Sequence, residues 1–115
     1  MNKYMLIFYE DVEKLAKLSP TELQTISQSW MTWIGSLDQR GMLENRGERL
    51  EPRAKFISGR KKLISDGPYT EAKDAVGGFS LLKAKSFEEA VEIAKECPIY
   101  SYDGGTVEVR PVMVL

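Results

Sequence analysis

Lys3-Tyr4-Met5-Leu6-Ile7-Phe8-Tyr9 carries two interleaved apolar sets. On an extended strand Tyr4, Leu6 and Phe8 point to one face, and Met5, Ile7 and Tyr9 to the other. A strand apolar on both faces belongs in the middle of a sheet and needs cover on both sides. The apolar stretch from Met1 to Phe8 is too short for a secretion-signal core or a membrane span, and Glu10 and Asp11 follow at once. It reads as a buried strand.

Outward from this strand, Ser19-Pro20-Thr21-Glu22 supplies a helix N-cap, a proline at the first helical position and a capping-box glutamate. Leu23, Ile26, Trp30, Trp33, Ile34 and Leu37 then recur at the spacing of one helical face, and Gly41 suits a left-handed C-terminal cap. Met42 to Glu51 is charge-rich and reads as a loop with a short strand. Arg53–Ser58 and Lys61–Ser65 read as a hairpin, with Gly59-Arg60 as a type II′ turn. Asp66-Gly67-Pro68-Tyr69 is a tight-turn signal, and the loop runs on to Gly77-Gly78. Phe79–Ala84 is a further strand. Ser86 and Glu89 cap a second helix whose stripe is Phe87, Ala90, Val91, Ala94 and Cys97, with Pro98 as its stop. Thr106–Val114 is the last strand, with Val107 and Val109 alternating with Glu108 and Arg110.

The order β-α-β-β-loop-β-α-β predicts one α+β domain over residues 1–115, a ferredoxin-like plait with both helices on one sheet face. The opposite face then needs a cover, and a second copy of the same sheet supplies it, which predicts a homodimer.

Composition narrows the chemistry. The formal net charge of -1 gives no electrostatic pull toward nucleic acid or an anionic membrane. One cysteine, Cys97, forbids an intrachain disulfide and fits a reducing cytoplasm. The absence of histidine removes Ser-His-Asp and Cys-His systems and histidine metal sites. No cofactor and no metal are expected.

The stretch Asp66-Gly67-Pro68-Tyr69-Thr70-Glu71-Ala72-Lys73-Asp74 resembles the signature of the DGPF subfamily of YCII-related proteins, Asp-Gly-Pro-Phe-Ala-Glu-Thr-Lys-Glu. Lys3-Tyr4-Met5-Leu6, Gly47-Glu48-Arg49-Leu50, Gly77-Gly78-Phe79, Cys97-Pro98 and Gly105-Thr106-Val107-Glu108-Val109-Arg110-Pro111-Val112 match that family's other segments in order. Within the signature Tyr69, Thr70, Ala72 and Asp74 depart from the pattern. The resemblance implies a dimeric α+β barrel of ferredoxin-like protomers and no established activity. Some YCII-type relatives carry a His-Asp pair proposed to be catalytic; this chain has no histidine to carry it. The resemblance also suggests a regulatory setting beside extracytoplasmic-function sigma factors.

Asp66 reads either as an Asx-turn residue, accepting from amides two or three positions on, or as a carboxylate at a cavity mouth. Glu71 and Lys73, two apart, share a face on an extended segment and can pair or bind a polar ligand. Arg49, Glu108 and Arg110 form a second set. With Val107 and Val109 toward the helices, Glu108 and Arg110 face the enclosed side. There they form an interface ion pair or orient an anionic ligand. Tyr9 and Tyr69 are candidate pocket hydroxyls. Trp30 and Trp33 read as core or interface, Cys97 as an inert buried thiol, and Arg60-Lys61-Lys62 as a solvated tip. Two functions of different class follow. One is a ligand-binding or regulatory module for a small polar or anionic molecule. The other is a cofactor-independent enzyme with Asp66 or Glu71 as base and Arg49 or Arg110 stabilising an anion.

Overall fold

The computed structural model describes residues 1–67 and 74–115. Its elements are β1 (Asn2–Asp11), α1 (Val12–Ala16), α2 (Pro20–Gln39), β2 (Leu43–Asn45), β3 (Ala54–Ser58), β4 (Leu63–Gly67), β5 (Asp74–Ala84), α3 (Phe87–Lys95) and β6 (Thr106–Pro111), with a 3₁₀ turn at Pro98–Ser101. A four-stranded sheet runs in the order β2-β5-β1-β6, with every neighbouring pair antiparallel. The doubly apolar β1 is central, as its sequence requires. Tyr4, Leu6 and Phe8 are buried with Trp33 and Leu37 of α2 and Ala90, Ile93 and Ala94 of α3. Val107 and Val109 pack against the same cluster, so both long helices cover one sheet face. Leu6, Leu37 and Leu82 are fully buried, each contributing about 1.5–3 kcal/mol relative to exposure. Met5, Ile7 and Tyr9 lie on the opposite face, half-buried.

The caps of α2 form as their residues predict. The Ser19 side chain accepts from the Glu22 amide at 3.1 Å, and the Glu22 carboxylate accepts from the Ser19 amide at 2.9 Å. At the other end Gly41 has φ +71°. Met42 N donates to Leu37 O and Gly41 N to Asp38 O, each at 3.0 Å, which closes a Schellman motif. In α3 the Ser86 side chain accepts from Glu89 N at 3.1 Å, but Glu89 accepts from Lys85 N at 2.9 Å, one residue before the cap.

Several expectations are corrected. β5 starts at Asp74, not Phe79, because β1 runs to Asp11 and the ladder extends to Asp11↔Asp74. Gly77 and Gly78 lie inside this strand. The hairpin leaves Gly59–Lys62 between the paired Ser58 and Leu63, and Lys62 N donates to Gly59 O at 3.1 Å. The turn is therefore centred on Arg60-Lys61, with Gly59 before it. Gly67 ends β4 opposite Ala54; Pro68 lies outside the described residues. β6 ends at Pro111. In α3 the buried stripe includes Ile93, while Phe87 is exposed. The first half of α2 is largely solvent-exposed, Leu23 included, and burial is reached only at Trp33 and Leu37. Among the described residues no helix is long and apolar enough to cross a membrane.

Candidate functional site

The Gly47-Glu48-Arg49-Leu50 segment lies as a strap across β5. Phe79 N donates to Glu48 O at 3.2 Å and Leu50 N to Gly77 O at 2.8 Å. Arg49 forms an antiparallel bridge with Gly78. Below it the Ser80 hydroxyl donates to Arg46 O at 2.7 Å, and Gly47 N donates to the Asn45 side chain at 2.7 Å. Gly47 sits at φ +74°, and a Cβ there would overlap the Phe79 carbonyl. The β1–β5 register slips between Phe8 and Tyr9, where Phe8 pairs Gly78 and Tyr9 pairs Val76. Gly77 is the extra residue, a β-bulge of the kind that re-aims a side chain. The missing side chain leaves room for Glu10, whose carboxyl carbon lies 2.6 Å from the place a Gly77 Cβ would occupy.

This arrangement floors a cleft of about 420 Å³. Phe8, Trp30 and Ile34 make its apolar wall; Ser80, the strap, Arg46 and Glu10 make the polar one. Trp30 is held edge-on to Phe8, with ring centroids 4.8 Å apart. Arg49 Nη2 stands 3.9 Å from Glu10 Oε1, with the Arg49 side chain 75% exposed and Glu10 18%. A contact this long and this exposed adds little stability, and it leaves most of the guanidinium fork open to an anion. Glu10, Arg49 and Gly77 also border an adjoining cleft of about 350 Å³, beside Val12, Leu15 and Leu50. The pair stands between two hollows.

The other sequence candidates fall elsewhere. Glu108 and Arg110 point away from the helices, as the alternation predicts. The Tyr9 hydroxyl donates to Glu108 Oε1 at 2.7 Å; this bond, with burial and the Glu108 charge, raises the Tyr9 pKa above its ordinary value. Arg110 Nε is 3.8 Å from Glu108 Oε2. Asp66 lies on the β3–β4 hairpin and pairs with Lys55 Nζ at 2.6 Å. As an Asx-turn acceptor it also has less to receive than supposed, since Pro68 has no N–H. Among the described residues Asp66, Arg49 and Arg110 thus occupy three places in one chain, and neither cleft at Arg49 is lined by Asp66 or Arg110. Hairpin pairing takes Asp66 outward, and strand alternation takes Arg110 to the face opposite the cleft. Tyr69, Glu71 and Lys73 lie outside the described residues. Trp33 is core and Trp30 lines the cleft. Burial pushes the Cys97 thiol up to about 12.

Sequence reasoning passed over Glu10, Arg46 and Ser80. The available signal was Gly77-Gly78: paired glycines in a strand mark a bulge or a close backbone approach, and the Glu10 side chain packs against Gly77.

The chain is 33% identical over 55 residues to a protein of Rhizobium meliloti (strain 1021) described only as uncharacterized. That match spans 48% of this chain and 44% of the relative's own length, so the chain spans less than half of the protein it matches. The chain also aligns with the solved structure of 5-chloro-2-hydroxyhydroquinone dehydrochlorinase from Burkholderia phenoliruptrix AC1100 in complex with 2,5-dihydroxybenzoquinone. There the TM-score is 0.44 and the identity 16%, over 96% of this chain and 93% of that one. Residues 2–115 match the model of the YCII-related domain, and the chain belongs to the YCII-related family.

Proposed function

We propose that this protein is a homodimeric ligand-binding module whose site is the cleft over the Gly77 bulge, and whose ligand is a small molecule with an apolar body and an anionic group. The observation that carries this reading is the Glu10–Arg49 pair. Its arginine is largely exposed, its carboxylate is largely buried, and an aromatic wall stands beside both. The apolar wall takes the body of the ligand and Arg49 takes its charge. Titration with benzoate, read by Trp30 fluorescence and calorimetry, tests it. Saturable binding that falls at least about tenfold in Arg49→Met supports the site, in line with about 1.5–3 kcal/mol for a charge-assisted bond. Equal binding by wild type and Arg49→Met, or none by wild type across a panel of small carboxylates, sinks it.

The bulge favours a second reading, an enzyme. A glycine at the extra position makes room for the Glu10 carboxylate, which is placed to take a proton from a ligand held by Arg49. Glu10 replaces Asp66 as the base in this reading. Glu10→Gln would then retain ligand and abolish turnover.

The sheet reads as a ferredoxin-like plait with the β3–β4 hairpin inserted. The order β2-β5-β1-β6 and the helices on one face support that reading. The dimer reading uses the other face, where Met5, Ile7, Phe79 and Leu81 are half-buried in the single chain. Tyr9, Glu108 and Arg110 border that face and become ligand contacts only if the dimer encloses a space there. Tyr69, Glu71 and Lys73 stay candidates from the signature, whose resemblance to the DGPF pattern supports membership of that subfamily. The subfamily in turn suggests a cytoplasmic protein in a sigma-factor-linked regulatory setting.

A further inference from the structure

The β3–β4 hairpin is a two-stranded sheet on its own, and among the described residues its two strands pack chiefly against each other. Ile57 and Ile64 are directly paired and share one of its faces, while Leu63 lies on the other. Each of these three side chains is 66–67% exposed. An isolated two-stranded hairpin is at best marginally stable in water, and exposed apolar strand edges are templates for association. The hairpin also has its own charge. Arg60, Lys61 and Lys62 at its tip are three of the 16 basic residues, and they leave the rest of the chain net negative against its 17 acidic ones.

We propose that this hairpin is a dimerisation arm, which buries Ile57, Leu63 and Ile64 against a second copy of this chain. The proposal rests on the dimer reading given above and adds a second contact region to it. Area supports a second copy as the occupant. The chain exposes 8342 Å², against roughly 6300 Å² for a folded monomer of 13.0 kDa. The excess of roughly 2000 Å² is larger than the roughly 800 Å² each partner gives to a standard interface. It leaves room for the arm as well as the open sheet face. Charge supports it too. The body of a second copy is acidic overall and meets a basic tip, whereas the whole chain, at net charge -1, does not repel itself. The extension shows in the dimensions: the radius of gyration is 15.6 Å, where a compact chain of this length has about 13 Å.

Three variants of the full chain test the arm, read by light scattering and sedimentation over a dilution series. Ile57→Lys/Ile64→Lys should raise the dimer dissociation constant at least 100-fold while the far-UV circular dichroism is kept. Ile57→Cys should be slow to react with a maleimide at concentrations where the protein is dimeric and fast on dilution. Ile7→Glu, on the open sheet face, reports on the sheet contact alone. Dissociation by Ile7→Glu with an unchanged constant for the hairpin double variant overturns the arm and leaves the sheet dimer standing. A wild-type protein that is monomeric throughout overturns both. If the double variant fails to fold, the Ile57→Cys labelling decides: equal rates in dimer and monomer overturn the arm.

Discussion

A Cβ at Gly47 would overlap the Phe79 carbonyl on a backbone with φ +74°, whereas a Cβ at Gly35, inside α2, meets nothing within 4 Å. The two glycines should answer oppositely to the same change. Gly47→Ala adds backbone strain of about 1–3 kcal/mol to a clash that shifts the strap, and should lower unfolding stability by at least about 2 kcal/mol in urea titration. Gly35→Ala removes unfolded-state freedom from an exposed helix position and should raise stability by about 0.5–1 kcal/mol. Cys97 gives a third test at this scale. Its thiol pKa is raised from 9.0 to about 12 by burial. The thiol form is therefore the one the fold favours. Its contribution to stability is complete below pH 9 and is lost as pH rises toward 12. At pH 8 the native protein should leave a disulfide reagent unreacted and release one equivalent of product on unfolding. Rapid native reaction would show that burial is incomplete.

Among the elements, α2 depends on its ends more than its length suggests, because its first half is largely exposed and gains little from packing. The Ser19–Glu22 box is thus a large share of what holds that half. Ser19→Ala should cost about 0.5–2 kcal/mol, read as a shift of the urea midpoint with unchanged slope. The Glu22 carboxyl, held below its ordinary value by the Ser19 amide and hydroxyl, should lose its contribution as pH falls through the carboxylate range. Glu22→Gln should remove this pH-dependent part while leaving the Ser19 cap, and an unchanged pH dependence of stability in that variant between pH 7 and pH 3 would count against the box as its source. The ends of α2 were legible because caps are local chemistry. The extent of β5 was not: Gly77 and Gly78 punctuate the sequence like a loop, and only the length of β1 opposite them keeps the strand going.

For the whole molecule, the open sheet face is the surface on which the proposed dimer turns. Met5, Ile7, Phe79 and Leu81 form its apolar centre. Glu44 binds Lys3 at 3.1 Å and Lys83 at 3.8 Å at one margin, and Arg110 stands 3.8 Å from Glu108 at another. A patch that carries both signs at its rim can pair with its own copy about a twofold axis. Light scattering at micromolar concentration should give twice 13.0 kDa, and Ile7→Glu, which places a charge in the apolar centre, should give the monomer mass. A wild-type monomer would leave the half-buried face without its proposed cover.

The sequence by itself determined the central strand, the caps of both long helices, the inward Val107 and Val109 with outward Glu108 and Arg110, and the absence of histidine chemistry. Each follows from period, from neighbours within four residues, or from composition. The tertiary structure decided which residues form the candidate site. Glu10 became a candidate because a one-residue slip between β1 and β5 puts Gly77 beneath it, and Arg49 joined it because the strap crosses β5 at that slip. Asp66, prominent in the sequence, was carried to the hairpin by its pairing with Lys55. Register and crossing bring together residues nearly seventy positions apart, and no local spacing in the chain encodes that meeting.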